Sequence, residues 1–216
     1  MPQDTHLQLE VLAELNWEPS IKAGHIGVTV AAGVVTLSGA VESYAEKHTA
    51  ELAARRVKGV LAVVQEIEVQ LPFERQRGDT EIAAAALERF AWDVAIPRDA
   101  IGVKVEKGWV SLTGEMEFYY QRDAAEQGVR RLHGVTGVSN LISIRPGVST
   151  ANISTDISAA LHRSWVPDAD AIIVTAKDGK VRLTGNVHSH HARQVAGETA
   201  WGAPGAMDVE NLLAII

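Results

Sequence analysis

The chain has 216 residues, 46% of them hydrophobic and only 5% aromatic, and carries a formal charge of -7. That acidic balance is at odds with the footprint of a general nucleic-acid binder, and no polybasic stretch would draw the chain onto an anionic membrane. With no cysteine, disulfides, thiolate nucleophiles and cysteine-based zinc sites are excluded.

The opening segment, MPQDTHLQLEVLAELNW, has neither a cationic n-region nor an unbroken apolar h-region, so it does not read as a signal peptide. No run of about twenty apolar residues predicts a membrane span. A soluble, cytoplasmic location is expected of the chain as it stands, and a periplasmic one if a leader has been removed. Leu7, Val11, Leu12 and Leu15 recur at the spacing of one buried helical face, and Trp17 closes that helix. HIGVTVAAGVVTLSG follows, two period-2 strands around a hairpin turn at Ala32-Gly33. Ser43 and Glu46 then form an S-x-x-E capping box for a second helix. The inner face of this helix (Ala50, Ala53, Ala54, Val57) is small enough to lie close on a sheet. Gly59 ends the helix as a C′ residue, and Val63, Ile67 and Val69 mark a last strand.

The same unit returns twice. Gly39, Gly114 and Gly185 are spaced by 75 and 71 residues, and glycine recurs twenty residues after each, at Gly59, Gly134 and Gly205. Glycine also recurs at each hairpin, at Gly33, Gly108 and Gly179. The second copy reads Ile82, Ala86, Leu87, Phe90 and Trp92 for its first helix, Ile101, Val103 and Val105 for its first strand, and Lys107-Gly108 for its turn. Its second helix buries Ala125, Gly128, Val129 and Leu132, and Val138, Ile142 and Ile144 form the last strand. In the third copy the first helix is looser, with Ile157, Ala160 and Leu161 in a register open by a residue, and Trp165 closes it. Ile172, Val174 and Ala176, the turn Asp178-Gly179, a cap at Ser189, the face Ala196, Thr199, Ala200 and Ala203, and the strand Val209, Leu213 and Ile215 complete it. LPFERQRGD (71–79) and RPGVSTAN (145–152) read as linkers. The predicted fold class is α+β: three tandem α-β-β-α-β domains at 1–73, 76–147 and 150–216. Each places two helices on one face of a three-stranded mixed sheet, a size that just buries its own core.

A V-x-V strand, a glycine turn, V-x-L-[ST]-G, a helix rich in Ala and Arg, then G-V-x-x-V-x-N-x-[LI]-x-[IV] resembles the BON domain. The second copy matches best, with GWVSLTG and GVTGVSNLISI. The first has GVVTLSG and GVLAVVQEIEV, with Gln65 where Asn140 and Asn211 stand, and the third replaces the G-V opening with GAPGAMDVENLLAI. The resemblance covers nearly the whole chain. It implies a non-enzymatic binding module of bacterial osmotic or envelope stress, contacting phospholipid or client proteins in a chaperone-like way. Alternatives are a protein-interaction scaffold built from packed BON domains, or the cation role of a cytoplasmic relative that binds potassium with a peptidoglycan-binding-like module absent here.

Function is expected where the copies differ. GKVRLTG lacks the lysine-hydroxyl end of a P-loop, so the recurring glycines serve backbone geometry. His188, His190 and His191 are close enough to ligate a transition metal, but no cysteine or carboxylate accompanies them and a solvated helix start is the plainer reading. No metal or other cofactor is expected. Phe118, Tyr119 and Tyr120 stand together beside Arg122, too many rings in a row to be buried together. With Arg130 and Arg131 they form the candidate interaction surface, for an anionic phospholipid surface or a protein client, or for packing between domains. Net charges of -4, -1 and -2 for residues 1–73, 74–147 and 148–216 make the middle copy the readiest to meet an anionic partner. No nucleophile elbow, recurring acid pair or dinucleotide loop appears, so no enzyme is expected.

Overall fold

The computed structural model describes residues 2–147, 152–164 and 169–216. Trp165 and part of the second linker lie outside them. The first copy runs α1 (Pro2–Trp17), β1 (Ile26–Ala31), β2 (Val34–Val41), α2 (Tyr44–Arg56) and β3 (Ala62–Val69). The second runs α3 (Asp79–Trp92), β4 (Ile101–Glu106), β5 (Trp109–Met116), α4 (Tyr119–Arg130), β6 (Gly137–Asn140) and β7 (Ser143–Ile144). The third runs α5 (Ile153–Arg163), β8 (Ile172–Lys177), β9 (Lys180–Val187), α6 (His190–Trp201), β10 (Asp208–Asn211) and β11 (Ala214–Ile215). Short 3-10 turns at Ala23–His25, Phe73–Arg75 and Ala169–Ala171 join them.

Each sheet is mixed. β1 pairs β2 antiparallel and β2 pairs β3 parallel, with Val35 opposite Val63 and Gly39 opposite Ile67. β9 likewise pairs β8 antiparallel and β10 and β11 parallel. The middle sheet has the order β4-β5-β6, with β7 also on β5. The last strand of the second and third copies is thus divided into two short segments. Contact density divides the chain into two compact units. One comprises Met1–Leu87, Lys104–Val110 and Gly128–Ser139, the other Glu88–Val103, Ser111–Gln127 and Asn140–Ile216.

The cores follow the alternation. Val35, Leu37 and Val41 point inward from β2 against Val11, Leu15, Ala50 and Ala53, all buried. Val181, Leu183 and Val187 do the same against Ile157, Leu161 and Ala196. In all three first helices the buried positions are i, i+4 and i+8: Leu7, Val11 and Leu15; Ile82, Ala86 and Phe90; Ile153, Ile157 and Leu161. The third copy therefore keeps the spacing of the others, and Ile153 replaces Ala160 in the expected face. Leu87 is exposed rather than buried, because five residues past Ile82 a helix has turned about 140° away.

The hairpins are two-residue turns with both central residues at positive φ, as a type I′ turn requires: Ala32 at 50° and Gly33 at 77°, repeated at Lys107-Gly108 and Asp178-Gly179. At Gly39, Gly114 and Gly185 a Cβ would come within 2.1, 2.1 and 2.0 Å of the carbonyl oxygens of His25, Ala100 and Ala171, so only glycine fits the strand exit. Gly59 is not the residue directly after the helix cap. Val57 caps α2, and the Val60 amide donates back to the Val57 carbonyl, which places Gly59 in the turn that follows.

The expected capping box is also modified. Ser43 Oγ accepts from the Glu46 amide at 3.2 Å, but the Glu46 carboxylate returns to the Glu42 amide (3.0 Å) and to the Lys22 amide (2.8 Å). One further contact explains the asparagines of the last strand. Asn140 Nδ2 donates to the Arg122 carbonyl at 3.0 Å while its Oδ1 accepts from the Ile142 amide. Asn211 does the same with Arg193 and Leu213, and Gln65 with Lys47 and Ile67. The amide side chain staples the last strand to the second helix in every copy.

Candidate functional site

The start of α4 departs from its two counterparts. Ser189 caps α6 by accepting from the Ala192 amide at 3.1 Å, as Ser43 does for α2. The equivalent residue before α4 is Phe118, which has no oxygen to offer. Gln121 stands where Glu46 does in the first copy: its Oε1 accepts from the Glu117 and Phe118 amides at 3.2 and 3.1 Å, and its own amide donates to the Phe118 carbonyl at 3.2 Å. A serine cap is worth about 1 kcal/mol, and in its place stands a ring that is 38% exposed.

That ring stacks on Tyr120 with centroids 5.7 Å apart and planes 19° apart. Tyr120 is itself 59% exposed. Tyr119 turns the other way and stacks on Trp201, the last residue of α6, at 4.6 Å and 16°. The Arg122 guanidinium lies 5.8 Å from the Trp201 ring centroid and donates to the Asn140 carbonyl at 3.3 Å. Burial raises the Tyr119 phenol above its ordinary value, and the Asp123 carboxylate adds to the effect. Together the start of α4 and the end of α6 line a cleft of about 290 Å³ that includes Glu117, Tyr119, Tyr120, Asp123, Glu198 and Trp201.

The structure thus brings Phe118, Tyr119, Tyr120 and Arg122 into one cluster. Arg130 and Arg131 do not join it, since Arg130 is the last residue of α4 and the rings sit at its start. His188, His190 and His191 flank the Ser189 cap of α6. Among the described residues no group of three or more His, Asp or Glu side chains is placed to hold a metal ion.

Two residues escaped the sequence reading. Trp201 aligns with Arg55 and Arg130, so an aromatic at that place is particular to the third copy. Trp109 lies half-exposed on the outer face of the middle sheet. Its Nε1 donates to Ser139 Oγ at 2.8 Å, and a Cβ at Gly137 would meet the indole at 2.4 Å. A second, larger groove of about 510 Å³ lies along the third hairpin. There Arg182 pairs with Glu210 at 2.8 Å.

Three repeats of this topology define a tandem array of small α+β domains. The BON domain family model matches residues 3–70, 78–146 and 149–216, and the chain belongs to the BON domain family. It is 31% identical over 141 residues to osmotically-inducible protein Y of Escherichia coli (strain K12), which covers 63% of this chain and 70% of that one. Two chains of CdsD, a structural protein of the type III secretion system of Chlamydia trachomatis, align over 98% and 97% of this chain and 92% and 97% of their own. They do so at 14% and 13% identity and a TM-score of 0.27. No described helix is long and apolar enough to cross a membrane.

Proposed function

We propose that this chain is a non-enzymatic binding protein of the bacterial osmotic or envelope stress response, and that it meets a phospholipid surface through the start of α4. The observation that carries this reading is the replacement of a capping serine by Phe118. A ring that gives up a helix cap and stays exposed beside Tyr120 is a poor choice for stability and a good one for contact. Amphipathic rings of this kind favour the boundary between water and lipid. The relation to an osmotically inducible protein supports the stress setting.

Vesicle co-sedimentation tests it. The wild-type chain should sediment with phospholipid vesicles, and the Phe118→Ser, Tyr120→Ala double variant should lose most of that binding. Equal sedimentation of the two would remove the aromatic pair from the contact.

The stack of Tyr119 on Trp201 favours a second reading, in which packed BON domains form an interaction scaffold. Tyr119→Ala should then loosen the packing of α4 against α6, read as faster amide exchange at Trp201, while leaving vesicle binding in place.

A further inference from the structure

The end of α6 differs from its counterparts in the feature that governs local charge. α2 closes on Arg55 and Arg56, and α4 on Arg130, with Arg131 following. Cations there offset the negative end of the helix dipole. α6 has no basic residue in its last turn and closes on Trp201 and Gly202. Its uncompensated end forms one wall of the 290 Å³ cleft, with Glu198 beside it. Across from it stand Glu117, just before α4, and Asp123 on α4. Asp123 and Glu198 accept hydrogen bonds from neutral partners of their own helices, Gln127 and Gln194, so those contacts leave their charge in place. Among the described residues that line the cleft there is no lysine or arginine, and the Arg122 guanidinium stands outside that lining, 5.8 Å from the Trp201 ring centroid. Its floor is small, made of Gly202, Ala203, Gly205 and Ala206. These residues belong to the segment in which the third copy departs most from the other two.

Carboxylates around aromatic rings, with little else, suit a weakly hydrated organic cation, which gains from the ring faces and from the apolar contact of its alkyl groups. Arg122 over the Trp201 ring shows that this cluster already attracts a cation. A bare metal ion fits less well, since no described group of three ligands converges there. The volume lies just below the range for ligand pockets, about 300–1,000 Å³, and so matches a headgroup-sized ion rather than a whole lipid.

We propose that the cleft between the start of α4 and the end of α6 binds an organic ammonium group of the trimethylammonium kind, its charge held by Asp123 and Glu198 and its methyl groups by the surrounding rings. This rests on the reading of the start of α4 as a binding surface, but not on membrane contact as such. The ammonium group has two possible sources, a lipid headgroup or a free solute.

The test titrates the full chain with choline by calorimetry and by tryptophan fluorescence, against 3,3-dimethylbutan-1-ol, its uncharged isostere. Choline should bind saturably, and the isostere about tenfold more weakly or worse. The Asp123→Asn, Glu198→Gln double variant should lose at least about fivefold in choline affinity with an unchanged melting temperature, and Trp201→Phe should lose the fluorescence change. Free choline that displaces the protein from phosphatidylcholine vesicles, but not from phosphatidylglycerol ones, assigns the source to the headgroup. Choline binding without such competition assigns it to a solute. No saturable binding, an isostere that binds as well as choline, or a double variant that binds like wild type would each overturn the proposal. Vesicle binding that survives those results, and is lost in Phe118→Ser, Tyr120→Ala, would leave the membrane reading standing alone.

Discussion

Helices α2 and α4 occupy the same place in their copies and bury the same narrow face, Ala50, Ala53 and Ala54 in one, Ala125, Gly128 and Val129 in the other. Their outer ends differ. α2 begins on the Ser43 cap and ends on Arg56, whose guanidinium pairs with Glu14 at 2.9 Å and Glu18 at 3.5 Å and so ties the helix to α1. α4 follows Phe118, and Gln121 accepts only from the Glu117 and Phe118 amides that precede the helix. The first copy holds itself together through these positions, and in the middle copy exposed rings stand at the helix start. The buried positions change between copies but stay apolar, as at Leu15, Phe90 and Leu161, so the exchange of a capping serine for an exposed ring is a change of another kind.

The comparison breaks most severely if the shared frame is not in fact shared. Gly39→Ala, Gly114→Ala and Gly185→Ala drive a Cβ to 2.1, 2.1 and 2.0 Å from a carbonyl oxygen, far inside contact distance and at positive φ. Each should cost at least about 3 kcal/mol in denaturant unfolding. A copy that tolerated its alanine would not share the strand exit of the others. Next in size is the amide staple. Asn140→Ala and Asn211→Ala remove a donor from the Arg122 and Arg193 carbonyls and an acceptor from the Ile142 and Leu213 amides. A loss of about 1–3 kcal/mol is expected for each, measured the same way.

Both features were visible in the sequence as recurring letters, and the alternation of β-branched residues placed the strands because period 2 is a local property. The helical face of α5 was harder to place. Ile153 sits among polar residues at the helix start, so the pattern first became visible a turn later, at Ile157. Trp201 was invisible for a different reason. It follows a run of small residues on α6, and nothing local distinguishes a ring that stacks on Tyr119 from one that faces water. Its signal lay in the alignment of copies, where arginine stands at both matching positions. Trp109 had the same kind of signal, since its partners Gly137 and Ser139 are Ala62 and Val64 in the first copy and Asp208 and Glu210 in the third. Contacts across sheets and between copies depend on tertiary placement, which periodicity does not encode.

The exchange at the helix start gives a sharper test. Phe118→Ser restores the cap that α2 and α6 possess, and is expected to leave stability unchanged or raise it by up to about 1 kcal/mol. The reciprocal Ser43→Phe should lower it by about 1 kcal/mol. Thermal melts of the two variants read this directly. If Phe118→Ser were the more destabilising of the pair, Phe118 would be a packing residue and the contrast between α2 and α4 would lose its functional meaning.

The smallest effect expected concerns the acidity of the cleft. Burial, then Asp123, raises the Tyr119 phenol above its ordinary value near 10. The folded chain then keeps a proton that the unfolded chain releases, so Tyr119 contributes stability below that ordinary value and loses it as pH rises through the raised one. Urea melts at about pH 9 and about pH 11 should show the wild type losing more stability than Tyr119→Phe, which has no proton to release. Asp123→Asn should bring the ionisation of Tyr119, followed by phenolate absorbance, back toward the ordinary value. Restoration by Asp123→Asn would mean that the carboxylate's field reaches the phenol, as a cation site at this place requires. An unchanged titration would mean that burial alone holds the phenol up and that the carboxylate faces solvent.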